Sequence, residues 1–154
     1  MPAPRNARPL TTRQRAVAAG YRSGLEEKVA ASLRARGAAF TYEQHVIRYD
    51  VPSRQARYTP DTVLANGIVV ETKGRWVAED RKKLKLVREQ HPLLDLRIVF
   101  SRSSTRISKT SATTYAKIAA TLGIPYADGD IPQAWLDEPV NEASLALIER
   151  FRKP

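Results

Sequence analysis

Apolar residues recur at helical spacing near the start of the chain. Leu25, Val29 and Leu33 lie four positions apart, and the residues between them are polar or small. Gly37 follows, and glycine commonly ends a helix in the left-handed conformation. The pattern therefore predicts an amphipathic helix over residues 23–36 that packs one side against a sheet.

The same kind of pattern predicts further helices and several strands. A basic helix over residues 79–91 has an acidic first turn and is closed by Pro92, and Gly123 ends another helix over residues 111–122. Helices that alternate with strands indicate the α/β class, with a mixed sheet flanked by helices. Aromatic and β-branched residues predict strands at residues 39–49, 58–64, 68–72 and 96–101.

The turn between the second and third of these strands decides which side chains share a face. A two-residue turn at Asn66-Gly67 would place Asp61 and Glu71 on opposite sides of the sheet. A three-residue loop over residues 65–67, with Gly67 in the left-handed conformation, would pair Asp61 with Glu71 instead. We predict the three-residue loop.

Asp61, Glu71 and Lys73 are the most informative polar residues. Hard divalent cations prefer carboxylate oxygens, and an ammonium group can stabilise the charge that grows on a phosphate attacked by water. Lys73 would share the face of Glu71 because side chains alternate along a strand. The set is typical of a metal-dependent nuclease, whereas Glu71 and Lys73 alone would more often describe a salt bridge on a solvated strand.

Charge is distributed unevenly along the 154 residues. The chain carries 26 Lys and Arg against 16 Asp and Glu, a net charge of +10, which favours a polyanionic partner. Residues 1–127 hold 23 basic and 10 acidic residues, whereas residues 128–154 hold 3 and 6. The polyanion is therefore expected to contact residues 1–127.

Composition excludes several classes of site and points to a cytoplasmic protein. The absence of cysteine excludes disulfides, thiolate zinc sites and cysteine nucleophiles, and two histidines cannot build a zinc cluster. No segment approaches the apolar run of about 18 residues that a membrane span requires, and no signal-peptide core follows the first arginines. We expect a soluble protein with no membrane partner and no organic cofactor.

Three parts are distinguished along the chain. Residues 1–21 contain three prolines and four arginines but no acidic residue, which predicts a mobile basic arm. Residues 22–139 are long enough for one ordinary core and form the expected nuclease domain. Residues 140–154 are expected to form a C-terminal helix or tail.

A series of motifs then carries a resemblance to a known family. In order and with nearly unbroken spacing over residues 21–139, the chain resembles the phage endonuclease I family of Holliday-junction resolvases, which are PD-(D/E)xK nucleases. The C-terminus departs from the family because it is acidic rather than lysine-rich. The motifs are Tyr21-Arg22-Ser23-Gly24-Leu25-Glu26, Tyr58-Thr59-Pro60-Asp61, Asn66-Gly67-Ile68, Val70-Glu71-Thr72-Lys73-Gly74, Asp80-Arg81-Lys82-Lys83, Arg88-Glu89-Gln90-His91-Pro92, Arg97-Ile98-Val99-Phe100-Ser101 and Ile131-Pro132 with Trp135.

The resemblance implies a fold, an assembly and an activity. The fold would be a restriction-endonuclease-like mixed sheet flanked by helices, in a homodimer whose chains exchange segments. Residues 51–57 would bridge the chains, since Pro52 would oppose a return as a hairpin. The activity would be Mg²⁺-dependent cleavage of four-way junctions and other branched DNA by paired nicks, with Mn²⁺ as a substitute.

Site roles are implied in the same way. Asp61, Glu71 and the Thr72 carbonyl would bind the metal, and Lys73 would orient or deprotonate water and stabilise the transition state. From the residues alone, Glu26 completes a capping box with Ser23. The resemblance instead places Glu26 in the metal site across the dimer. The implied catalytic residues are therefore Glu26, Asp61, Glu71 and Lys73.

Basic residues downstream are expected to contact DNA phosphates. Residues 81–109 contain nine basic and two acidic residues, which favours phosphate contacts over an ordinary solvated surface. Specificity would then come from the shape of the junction rather than from base readout. The expected DNA-binding residues are Arg22, Arg81, Lys82, Lys83, Lys85, Arg88, Arg102, Arg106 and Lys109.

Two alternatives use the same features. One is a nickase or transposon-end nuclease that acts on linear duplex DNA. The other is an architectural protein that binds DNA junctions without cleavage, against which the complete set of Asp61, Glu71 and Lys73 argues.

Overall fold

The computed structural model describes residues 11, 17, 20, 21 and 23–154. The expected basic arm over residues 1–21 therefore lies almost wholly outside the described residues. Within them, the helices are α1 (Gly24–Ala35), α2 (Ala78–Gln90), α3 (Tyr115–Thr121), α4 (Gln133–Asp137) and α5 (Glu142–Glu149), and none is long and apolar enough to cross a membrane. The strands are β1 (Phe40–Tyr42), β2 (Ile47–Val51), β3 (Arg54–Tyr58), β4 (Thr62–Leu64), β5 (Ile68–Lys73), β6 (Asp95–Phe100) and β7 (Tyr126–Asp128).

Five strands form one mixed sheet in the order β1, β4, β5, β6, β7. The first three are antiparallel, and the last three are parallel and connected by α2 and α3. One hydrophobic cluster joins the sheet to α2, α3, α5 and the β2–β3 hairpin through residues such as Val69 and Phe100. A second cluster joins it to α1 and α4 through Val29 and Val70. The predicted α/β fold with a mixed sheet flanked by helices is confirmed.

The hairpin between β4 and β5 has the predicted register. Thr62 pairs with Val70 and Val63 with Val69, and the same register places Asp61 opposite Glu71. Gly67 has a φ of +90°, which is the left-handed conformation expected for a three-residue loop. The Asn66 side chain donates to the carbonyls of Trp135 and Glu138, so the loop is also fixed from outside.

Two of the predicted strands are divided in the structure. The segment 39–49 becomes β1 and β2 because Glu43 has a φ of 49°, which no extended strand accommodates. The segment 58–64 is divided at Pro60-Asp61, where the chain passes from the β2–β3 hairpin to the main sheet. The sequence pattern missed both breaks because strand-forming residues continue on either side.

Strands β2 and β3 form an antiparallel hairpin in which Val51 pairs with Arg54. We expected Pro52 to oppose the folding back of residues 51–57 as a hairpin, and for the single chain that expectation is wrong. Pro52 and Ser53 are the central residues of the turn. Proline is favourable at the first central position because its fixed φ fits the turn and its missing N–H is not needed there.

Both tryptophans pack in the interior. Trp76 is fully buried and contacts the ring of Phe100. Trp135 stacks on the guanidinium of Arg97, whose carbon atom lies 5.1 Å from the ring centre. Arg97 also donates to Glu138 at 2.7 Å, and this hydrogen bond raises the pKa of Arg97 although burial opposes the shift. The region around α4 is thereby fastened to the sheet.

Gly67→Ala should destabilise the protein more than the control Gly37→Ala. Both glycines have positive φ, so alanine costs roughly 1–2 kcal/mol at either position. At Gly67 the added Cβ would also lie 2.8 Å from the Asn141 carbonyl oxygen, whereas at Gly37 no atom of the described residues lies within 4 Å of it. Urea unfolding of the two variants measures the difference. Equal losses would show that the loop does not depend on its contact with the start of α5.

Candidate active site

Helix α1 brings Glu26 to the edge of the sheet. Its first residue is preceded by Ser23, whose hydroxyl accepts a hydrogen bond from the Glu26 amide at 3.1 Å. The Glu26 side chain is buried and accepts a hydrogen bond from the Tyr42 hydroxyl. Ser23 therefore caps the helix as expected, while the Glu26 carboxylate lies among other acids of the same chain.

Glu43 joins Glu26 and Asp61 in a compact group of carboxylates. One oxygen from each of the three side chains lies within 4.8 Å of the other two. The Glu43 amide donates to the Asp61 backbone carbonyl at 2.9 Å, which holds the two segments together. Sequence analysis missed Glu43, because residues 39–49 were expected to form one continuous strand and nothing in the local pattern indicated a turn at Glu43.

Asp61 is nearly inaccessible to water, with 1% of its surface exposed. The Thr72 amide and hydroxyl donate to the same Asp61 oxygen, Oδ2, at 2.8 and 2.9 Å. Burial, together with the charges of Glu71 and Glu26, nevertheless raises the pKa of Asp61 from 3.8 to about 7. At neutral pH this carboxyl group is balanced between its protonated and ionised forms.

Glu71 and Lys73 form a second group beside the first. The Lys73 Nζ lies 3.1 Å from Glu71 and 3.2 Å from Asp80 on α2. The Tyr58 hydroxyl donates to Glu71 Oε2 at 2.5 Å. Burial would lower the pKa of Lys73, but the charges of Glu71 and Asp80 outweigh it and raise that pKa. Lys73 is therefore a cation at neutral pH.

The structure thus arranges the expected residues as two adjoining groups rather than one. Glu71 raises the pKa of Asp61 by its charge, yet among the described residues it is not a member of the compact carboxylate group. Asp61 turns toward Thr72 and Glu26, whereas Glu71 turns toward Lys73. Thr72 supports Asp61 through its amide and hydroxyl, and a ligand role for its carbonyl stays a prediction.

Helix α2 carries five of the expected DNA-binding residues. Arg81 and Arg88 donate to backbone carbonyls, and Lys83 and Lys85 pair with acids on the same helix. Lys82 is exposed and has no ion pair with a described residue. Much of the positive charge on α2 is therefore already engaged within the protein.

The loop after β6 offers more accessible positive charge. Arg102, Arg106 and Lys109 are exposed, and none of them pairs with an acid among the described residues. Phosphate groups could approach these side chains without breaking an existing ion pair. The remaining expected contact, Arg22, lies outside the described residues.

Comparison with known proteins identifies the family. The family described as Phage endonuclease I matches residues 8–153. Endonuclease I of Escherichia phage T7 is 48% identical over 130 residues, which cover 84% of this chain and 87% of the relative. Endodeoxyribonuclease 1 of Enterobacteria phage T3 is 48% identical over 122 residues, or 79% and 80% of the two chains. The resemblance inferred from the motifs is confirmed, and the chain belongs to the phage endonuclease I family.

Proposed function

We propose that the protein is a metal-dependent DNA endonuclease that cuts four-way junctions and other branched DNA by paired nicks. The observation that carries the proposal is the close group of Glu26, Glu43 and Asp61, in which Asp61 is buried and its pKa is raised to about 7. Membership of the family and the endonuclease names of both relatives support DNA as the substrate.

The donor set fits a hard divalent cation. Carboxylate oxygens are the ligands that Mg²⁺ prefers, and Mn²⁺ accepts them too. Asp61, Glu26 and Glu71 would hold the ion, with Glu43 as an additional acid and the Thr72 carbonyl as a backbone ligand. The chemistry that Mg²⁺ supplies when bound is activation of water and neutralisation of phosphate charge.

Lys73 would act through its charge. Its ammonium group is held between Glu71 and Asp80, and their charges favour the protonated form. A protonated amine cannot accept a proton from water, so we propose that Lys73 stabilises the negative charge that develops on the phosphate. Glu71 and Asp80 position it for this role.

Selectivity for branched DNA would come from shape and from phosphate contacts. The exposed side chains of Lys82, Arg102, Arg106 and Lys109 suit contacts with the backbone, which carry no sequence information. Arg81, Lys83, Lys85, Arg88 and Arg22 would add to this surface. Binding should therefore weaken steeply with salt.

We also propose a homodimer that exchanges the segment before the Pro52 turn. The pairing of β1 with β4 and the approach of Glu26 to Asp61 both join residues before the turn to residues after it. If the turn opened, the same contacts could form between two identical chains. Each site would then combine Glu26 of one chain with Asp61 of the other.

Cleavage of a supercoiled plasmid that extrudes a cruciform tests the function. With Mg²⁺ we expect paired nicks at the cruciform of the supercoiled plasmid and no cleavage of the relaxed plasmid, because the relaxed plasmid lacks the branch point. In EDTA we expect no cleavage of either form, because the metal ion is removed. Equal cutting of the relaxed plasmid would indicate an enzyme for linear duplex instead. Binding without cleavage would indicate an architectural protein.

Glu71→Gln and Lys73→Met should each reduce junction cleavage by roughly 100-fold or more, because the first removes a carboxylate that would help to hold the metal ion and the second removes the ammonium charge that would stabilise the reacting phosphate. Junction binding in EDTA should change little, since the expected phosphate contacts lie elsewhere. Glu142→Gln, at an exposed acid on α5, is the matched control. Single-turnover cleavage and a binding titration measure both effects, and normal cleavage by either variant would contradict the assignment.

In the metal-free protein, the contribution of Asp61 to stability should fall as the pH rises from about 4 to about 7, because Asp61 ionises at 3.8 when unfolded and at about 7 when folded. Below this range the group is protonated in both states, and above it the folded state bears the full cost of a buried charge. Asp61→Asn should therefore raise the free energy of unfolding in EDTA at about pH 8 and abolish the stabilisation by Mn²⁺.

Thermal or urea unfolding at about pH 5 and about pH 8 checks this expectation. Asp137→Asn, at an exposed position on α4, serves as the control. An Asp61→Asn variant that is less stable than the parent at the higher pH would contradict the buried-charge interpretation.

A further inference from the structure

A cleft of about 550 Å³ lies between the β2–β3 hairpin and the last residues of the chain. Its cations come from two separate segments. Arg48 and Arg57 lie on the hairpin, and Arg150, Arg152 and Lys153 lie after α5. Neither segment belongs to the expected DNA-binding surface, and the sequence placed the C-terminal region among the acidic parts of the chain.

The positive charge in this cleft is poorly compensated. Arg152 pairs with Glu149 at 2.9 Å. Arg48, Arg57, Arg150 and Lys153 are exposed and have no ion pair with any described residue.

Two of the arginines oppose each other directly. Arg48 and Arg57 are cross-strand partners in the hairpin, so their side chains emerge on the same face. Like charges in this position destabilise a hairpin. Residues 1–21 cannot relieve the repulsion, since they contain no acidic residue. No acid among the described residues pairs with either arginine, so a polyanion bound from solution could neutralise the pair.

Backbone hydrogen bonds hold the two walls of the cleft together. The Val46 amide donates to the Phe151 carbonyl at 2.9 Å, and the Lys153 amide donates to the Gln44 carbonyl at 2.8 Å. The ring of Phe151 also contacts His91 at the end of α2. The cations are therefore carried by a fixed backbone rather than by a loose tail, which limits the entropy lost when a ligand binds.

We propose that this cleft binds backbone phosphates of a DNA segment away from the cutting site. Along β3, Arg57 is exposed whereas the next residue, Tyr58, is buried and donates to Glu71. Successive side chains of a strand point to opposite faces, so the cleft and the active site lie on different sides of β3. A second phosphate site of this kind suits an arm of a branched substrate, and to that extent the inference rests on the proposed function.

Salt-dependent binding of a long-armed four-way junction in EDTA tests the inference. In Arg48→Gln/Arg57→Gln the slope of log K against log salt should become less negative by about 1.8, because two phosphate contacts are lost. Lys28→Gln/Lys117→Gln removes the same charge from exposed helical positions outside the cleft and should leave the slope nearly unchanged. Calorimetry with inorganic phosphate should detect no tight binding by the parent.

An unchanged slope in the hairpin variant, or an equal change in the control, would overturn the proposal. Tight binding of inorganic phosphate that the hairpin variant loses, with DNA binding unchanged, would mean a site for a small anion and would also overturn it. Because the measurement needs no cleavage, a parent that binds the junction but does not cut it would contradict the proposed function while leaving this test intact.

Discussion

The main physical constraint on the active site is that the carboxyl group of Asp61 is buried away from water and lies beside other acids. Two donors from Thr72 fix one oxygen, but Glu26 and Glu71 add negative charge close by. A pKa raised from 3.8 to about 7 corresponds to a cost on the order of 4 kcal/mol for the ionised form. Hydrophobic clusters on both faces of the sheet stabilise the fold that imposes this cost.

The neighbouring cation does not remove the strain on Asp61. Lys73 forms ion pairs with Glu71 and Asp80, so its positive charge mainly compensates these two carboxylates and not Asp61. The carboxylates around Asp61 therefore keep an excess of negative charge, which a bound divalent cation would neutralise. A site that is unfavourable by itself and favourable with its ion is common where function rather than stability selects the residues.

Positive charge is placed at several separate locations. Besides Lys73, it occupies the loop after β6 and the cleft between the β2–β3 hairpin and the end of the chain. A straight duplex needs a single basic track, whereas a branched polyanion presents phosphates along several axes. The spread of basic side chains is thus in keeping with the proposed recognition of branched DNA by shape, in which the backbone is contacted at more than one place.

The sequence by itself determined the α/β class, helix α1 with its Ser23 cap, the β4–β5 register and the family, because these follow from local periodicity, from Gly67 in the turn and from ordered motifs. The tertiary structure alone decided that Glu43 joins Glu26 and Asp61, that Tyr58 and Asp80 hold Glu71 and Lys73, and that the β2–β3 hairpin closes. The contacts among Glu26, Glu43 and Asp61 link residues distant in the chain, and no local spacing encodes them. The β2–β3 hairpin is local, but proline is compatible both with a turn and with an extended bridge, so the sequence alone did not settle it. The C-terminal cations show the same point, since backbone pairing with residues 44–46 turns an acidic region into one wall of a basic cleft.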